Sequence, residues 1–372
     1  MFFRDIVGHS ELKRRLIEMV DSGRIPHAQL YTGAEGVGKL ALALAVAQYI
    51  CCEHREGGES CGRCPSCVQF AKLSHPDLHF AFPFAKSDRV KVCNDAIEEF
   101  RSAVLENPYL TLEEWMDIIS DKKAVHIYTT EGDEMIRKLS FKAYQGRYKV
   151  MIVWIAEKMN VECANKILKI LEEPSEDTVF MLVSDRPEEV LGTIYSRCQR
   201  IAVPPIEAKD MEQALSARYD VGTEEVEYLV KNAMGSWGKM LGLMKESEES
   251  KRDFELFVQM MRLAWNLDVK GIRQWTEQVS KLTRDGQVRF LQKAQRMIRE
   301  NFVLRLNNRQ LTYMNRAEME FASKFARFIH EKNVVLIMEE LALAEAQIAQ
   351  NGNVKIILFH LEILLYSKQM QI

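Results

Sequence analysis

Apolar residues follow two different rhythms along this chain, and the change falls near residue 205. Before it, continuous apolar runs alternate with amphipathic stretches. Ala28–Thr32 reads as a short buried strand, and residues 150–155 and 178–183 as two more. Unbroken runs of this kind are what a parallel sheet covered on both faces requires. Residues 40–50, rich in Ala and Leu, read as a helix leaving a glycine-rich turn. Residues 163–173 read as a second helix, with Ile167, Leu168, Ile170 and Leu171 facing inward and Pro174 ending it. Strands alternating with helices predict an α/β doubly wound core.

Residues 86–123 interrupt this rhythm. They are charged, hold a helical stretch near 95–105 and offer no recognisable chemistry, so they read as an insertion. After Pro204 and Pro205 the strand signals stop. Residues 207–249 predict small amphipathic helices, with a turn at Gly235 and Ser236. The polar run 245–251 reads as a linker. From Arg252 onward the spacing is helical throughout: Phe254, Leu256 and Phe257, then Phe290 and Leu291, then Phe321, Phe325 and Phe328, then Leu358, Leu361 and Leu364. Such stripes predict the core of a helical bundle.

A length of 372 residues calls for two or three domains. The formal charge of −3 gives no overall basic character, so any nucleic-acid contact must be local or made by a partner. There is no apolar run of 18 residues, and the start of the chain lacks signal-peptide organisation. A cytoplasmic protein without a membrane partner is expected. In that reducing compartment eight cysteines argue for metal rather than disulfides. Cys52, Cys61, Cys64 and Cys67 supply four thiols within a short stretch set with Gly57, Gly58, Gly62 and Pro65. Four cysteines close a tetrahedral Zn2+ site with no open position, which makes the zinc structural. Cys51 could replace its neighbour but fits the spacing less well. Cys93, Cys163 and Cys198 read as small packed residues.

The turn from Gly33 to Leu40 matches G-x-x-x-x-G-K, through Gly33, Gly36, Gly38 and Lys39. Backbone N–H groups there would cradle an anion at a helix N-terminus, and Lys39 would reach the β- and γ-phosphates. The next residue should carry a hydroxyl for magnesium, and it is Leu40. The acidic pair expected to end the strand after Lys149 is also missing: the chain reads Trp154, Ile155, Ala156 and only then Glu157. ATP or ADP could occupy such a loop, but hydrolysis is not expected. His27 reads as structural, since no triad partner lies near it, and Glu172 and Glu173 as structural or partner-facing.

Several further motifs carry a resemblance. Residues 5–8 (Asp-Ile-Val-Gly), Pro26-His27-Ala28, the 164–174 stretch ending Leu171-Glu172-Glu173-Pro174, and Ser196-Arg197-Cys198 together resemble the AAA+ clamp-loader family, strongly over residues 1–204 and more weakly beyond. The resemblance implies an AAA+ P-loop core over 1–205 carrying a zinc module at 51–68, a helical lid at 206–250 and an all-α collar at 251–372. It implies a ring assembly with gamma/tau and delta clamp-loader subunits, acting through that assembly on a sliding clamp and primed DNA. In the family the acidic pair would fall at Trp154 and Ile155. The lid arginine would fall at Gly238, and a γ-phosphate-sensing polar residue at Ser184. Arg197 would project in trans to the nucleotide of a neighbouring subunit; the alternative is a surface arginine paired with a local carboxylate. Three of four hydrolytic positions are lost, which implies a non-hydrolysing stator. The rivals are an active motor ATPase of the same family and a zinc-containing nucleic-acid-binding module. The second lacks the basic and aromatic interleaving that base stacking needs.

Overall fold

The computed structural model describes residues 1–119, 124–306, 314 and 316–369. It divides into two compact units, Met1–Met244 and Lys245–Ile372. The last four residues of the expected insertion, 120–123, lie outside the described residues.

In the first unit five strands, β1 Ala28–Thr32, β2 Leu78–Ala81, β3 Lys149–Trp154, β4 Thr178–Ser184 and β5 Gln199–Ala202, form one sheet in the order β2-β3-β4-β1-β5. Every pairing is parallel. The central strands β3 and β4 are buried at every position, which is why the sequence shows them as unbroken apolar runs. Among the helices of this unit are α1 Ser10–Asp21, α2 Lys39–Cys51, α3 Pro65–Phe70, α4 Ile97–Glu106, α5 Leu112–Ile118, α6 Thr129–Ser140, α7 Val161–Glu172 and the single turn α8 Gly192–Tyr195. Helix α2 is buried along its whole length. Helix α7 faces the core through Cys163, Ala164, Ile167 and Leu171. Leu168 and Ile170, expected inside, are only half-buried because they flank that face.

The insertion is part of the core. Trp115 of α5 is fully buried against Phe82 and Phe100, and its indole N–H donates to Pro83 O at 2.7 Å. Thr111 caps α5 by accepting from Glu114 N, while the Glu114 carboxylate accepts from Thr111 N. Beyond β5 come α9 Ala208–Arg218, α10 Thr223–Ala233 and the start of α11 Trp237–Asn266, sharing a smaller core of Met211, Leu215, Leu229 and Trp237.

The expected linker at 245–251 is corrected: it lies inside α11, and the unit boundary falls within that helix. Lys, Glu and Ser suit a solvated helix as well as a linker, and α11 closes without a glycine or proline there. The second unit continues with α12 Val269–Ser280, α13 Arg284–Arg305, α14 Arg316–Phe325, α15 Val334–Ala349 and α16 Val354–Gln369. Leu256, Phe257, Trp275, Phe290, Leu291, Ile337, Leu341, Leu358, Leu361 and Leu365 fill its core. Among the described residues no helix is long and apolar enough to cross a membrane.

Two outcomes are expected. Trp115→Ala removes a fully buried indole and leaves Pro83 O without its donor, which costs about 3–5 kcal/mol in denaturant unfolding. A loss under about 1 kcal/mol would mean the insertion is not integral to the core. In the second unit Glu362 is fully buried, both its oxygens lack hydrogen-bond partners, and burial pushes its carboxyl up to about 9. An unfolded carboxyl titrates near 4.3, so the folded state holds the extra proton between the two values and stability falls as pH rises through that window. Glu362→Gln should flatten that slope in melting curves taken from pH 5 to pH 9, and an unchanged slope would refute the assignment.

Candidate functional site

The loop between β1 and α2 takes the shape its glycines allow. Gly36 and Gly38 have φ of +72° and +99°, in the left-handed region. A side chain at Gly36 would put its Cβ 2.4 Å from Ser236 Oγ, and one at Gly38 would meet the Tyr109 ring at 2.9 Å. The loop is therefore covered by two segments distant in sequence, the insertion and the start of α11.

Lys39 is buried and turned inward. Its ammonium donates to Gly33 O at 2.8 Å and to Ala34 O, and pairs with Asp185 Oδ1 at 2.5 Å. Two of the ammonium's N–H groups thus go to the loop's own carbonyls, and the Asp185 carboxylate balances its charge. Above it, Gly36, Gly38, Leu40, Pro108, Tyr109, Leu110, Trp154 and Asp185 are among the residues enclosing a cavity of about 20 Å³, room for roughly one water molecule. Tyr109 is also tied to the N-terminal segment, its hydroxyl accepting from Val7 N at 2.8 Å. Helix α11 rests directly on the loop: Gly238 N donates to Gly36 O at 3.0 Å, and Ser236 Oγ to Glu35 O at 2.8 Å. A Cβ at Gly238 would lie 2.9 Å from Tyr109 O, so no arginine fits there without the helix moving.

Trp154 ends β3 and lines the same small cavity as Lys39, an indole at one of the two positions where the family resemblance implies a carboxylate pair. Glu157 is engaged elsewhere, accepting from Asp185 N at 2.9 Å and Arg186 N at 3.0 Å. A neighbouring cleft of about 310 Å³ is lined by Glu35, Glu157, Asp185 and Glu189 together with Lys158 and Arg186. Burial, with Asp185 nearby, raises the Glu35 carboxyl above the ordinary glutamate range. Ser184 closes β4 with its Oγ buried and without a hydrogen-bond partner. The loop residues Gly33, Gly36, Gly38 and Lys39 thus form one turn, and Asp185, next to Ser184, occupies the lysine.

The four cysteines meet in a second place. Their sulfurs all lie within 4.8 Å of one another, with Cys61 Sγ and Cys67 Sγ 4.0 Å apart. A tetrahedron with metal–sulfur bonds of about 2.3 Å has sulfur–sulfur edges of roughly 3.8 Å, so this group could hold a metal ion. Backbone N–H groups already point at the sulfurs: Cys61 N at Cys52 Sγ, Cys64 N at Cys61 Sγ and Cys67 N at Cys64 Sγ, at 3.3 to 3.4 Å. The Arg63 backbone N–H pulls the Cys61 thiol down to about 6, while burial pushes Cys52 and Cys67 up. Cys51 faces away, toward Tyr148 O at 3.8 Å. The module also holds the start of the chain, since the Glu59 carboxylate accepts from Phe3 N and Arg4 N.

Arg197 lies on the surface after α8, well away in sequence from both groups. Its Nε donates to Glu172 Oε1 at 2.6 Å and its Nη1 to Thr193 O at 2.8 Å. Arg200 stacks over Tyr195 and donates to its hydroxyl. Sequence reasoning missed Tyr109, Asp185 and the role of Glu172 as a partner. Tyr109 sat in a segment that showed no motif, and Asp185 and Glu172 became informative only through pairing.

A family profile described as "DNA polymerase III, delta subunit" matches residues 8–207. A DNA polymerase III subunit delta' of Bacillus subtilis is 29% identical over 211 residues, which cover 55% of this chain and 52% of that protein. One from Pseudomonas aeruginosa is 31% identical over 217 residues, 58% and 55% of the two lengths. A DNA polymerase III subunit gamma/tau of Mycobacterium bovis is 28% identical over 195 residues, 52% of this chain and 27% of that protein. The chain thus spans about half the length of the two delta' relatives. Because the profile takes in more than half of its residues, over the sheet, the glycine loop and the Arg197 motif, the chain belongs to the DNA polymerase III delta-subunit family.

Proposed function

We propose that this chain is the non-hydrolysing delta-prime stator of a clamp loader, giving Arg197 in trans to a neighbouring gamma/tau-type ATPase during sliding-clamp loading on primed DNA. The observation that carries the reading is the glycine loop closed on itself. Lys39 donates to Gly33 O and Ala34 O and is ion-paired with Asp185, under a cover of Tyr109 and Gly238. A triphosphate needs that lysine and the volume above it. Binding would have to break a buried ion pair, leaving Asp185 beside the incoming anion. Leu40 and Trp154 remove the two groups that would hold magnesium. Gly33, Gly36, Gly38, Lys39 and Ser184 are on this reading a vestigial nucleotide site that works as structure.

Residues 206–250 serve as the lid and 251–372 as the collar by which the subunit joins its ring with gamma/tau and delta subunits. The metal at Cys52, Cys61, Cys64 and Cys67 is zinc, a structural cross-link that supplies no chemistry to the reaction. The rival reading as a motor subunit draws on the gamma/tau likeness. Leu40, Trp154 and Gly238 speak against it.

The decisive measurement is ATP turnover. The chain alone should be silent, and Arg197→Ala should lower the reconstituted loader's clamp- and DNA-stimulated turnover on the order of tenfold, a finger at a single site being worth 10³–10⁵ in well-studied GTPases. Steady hydrolysis by the isolated chain would overturn the stator reading; an unaffected assembly would remove the finger. For the metal, emission spectrometry should find one zinc per chain, lost in Cys64→Ser. Amide exchange should then rise at residues 1–7, held by Glu59, while β3 and β4 stay protected. Retention of zinc by the variant would exclude this ligand set.

A further inference from the structure

Three of the motifs that mark the family meet at one place in the first unit. His27, just before β1, sets its Nε2 2.9 Å from Leu171 O, one of the carbonyls that the end of α7 leaves without a helical partner. A carbonyl only accepts, so the imidazole donates from Nε2. The next residue, Glu172, carries a carboxylate at the negative end of the helix dipole, an unfavourable place for an anion without a cation beside it. Arg197 is that cation: its Nε and Nη2 both face Glu172 Oε1, and its Nη1 donates to Thr193 O at 2.8 Å, back along its own chain.

We propose that Glu172 is a positioning residue for Arg197, a carboxylate cradle anchored through His27 that holds the guanidinium ready for the neighbouring subunit's nucleotide. This rests on the reading of Arg197 as a finger acting in trans. A guanidinium has five N–H groups. Glu172 Oε1 takes the Nε–H and Thr193 O takes one on Nη1, while Nη2 only pairs in charge with the carboxylate, so each terminal nitrogen keeps an N–H for another acceptor. That pair is the two-pronged donor that suits phosphoryl oxygens. A free arginine side chain samples many rotamers and loses that freedom when it docks, whereas one held in advance has already lost it. Exposed ion pairs contribute little to fold stability, and both side chains here are part-exposed. The cradle therefore acts on orientation, not on the folded state.

The test uses Glu172→Gln, which keeps the shape and removes the charge, in two settings. In the isolated chain, the Arg197 Nε–H resonance should be resolved and protected from exchange in the native protein and averaged in the variant. In the reconstituted loader, Glu172→Gln should lower stimulated kcat about threefold to tenfold with KM for ATP unchanged. Added to Arg197→Ala, it should cost nothing more, since both act through one group. The melting temperature of the chain should not move. An Nε–H signal alike in both chains would overturn the proposal. So would turnover that is unchanged or faster in the variant, or a further loss on top of Arg197→Ala. Silence of Arg197→Ala alone is a different failure: it removes the finger reading and with it the catalytic purpose of the cradle, even where the Nε–H is protected.

Discussion

A buried ammonium must find acceptors, and Lys39 finds all of its own within the chain that carries it. Burying an unpaired cation costs far more than a domain can spare, so a lysine at the foot of a glycine loop commits the surrounding fold to supplying counter-charge. In a working nucleotide site the phosphates supply it. Here Asp185 does, with Gly33 O and Ala34 O completing the set. With the lysine's charge balanced inside the chain, other elements close over the loop. Tyr109 lies on Gly38, α11 hydrogen-bonds to Gly36, and Trp154 fills the position beside the lysine. Helix α2, buried along its whole length, then needs no bound anion to hold its start in place.

On the proposed non-hydrolysing reading, the departures at three positions are coherent rather than independent. Leu40, Trp154 and Gly238, where the family resemblance implies magnesium, acid and arginine chemistry, are each a packing contact here. Restoring one alone would not restore the others. An arginine at 238 would collide with Tyr109 O, and a carboxylate at 154 would lie beside the already engaged Asp185. On the proposed reading, nucleotide chemistry at this loop would require the insertion, the start of α11 and β3 to move together.

What could be read from the sequence was whatever is local or periodic. The strands β1, β3 and β4 showed as unbroken apolar runs because both faces of a parallel sheet are covered. Strand β2 was missed because His79 and Pro83 interrupt the apolar stretch 78–85, and β5 because three of its four positions are exposed. The four cysteines were legible as one group because their short spacings keep the four sulfurs within reach of one another. The polar stretch inside α11 misled because solvated helix and linker share a composition. Tyr109 and Asp185 could not be found from pattern, since each acts through a partner far along the chain.

The four-cysteine module, the first residues and the insertion also form one line of contacts in the first unit. Glu59 of the module holds Phe3 and Arg4, Asp5 O accepts from Arg218 of α9, and Val7 N reaches the Tyr109 hydroxyl. Tyr109 in turn covers the glycine loop. The cysteine group, the closed glycine loop and the N-terminal segment pinned between them are three constraints on this unit. On the stator reading proposed above, each of them would help the subunit stay still while its neighbours cycle. Arg197 is held by Glu172 on the same framework, so on that reading stillness of the core becomes orientation of the arginine.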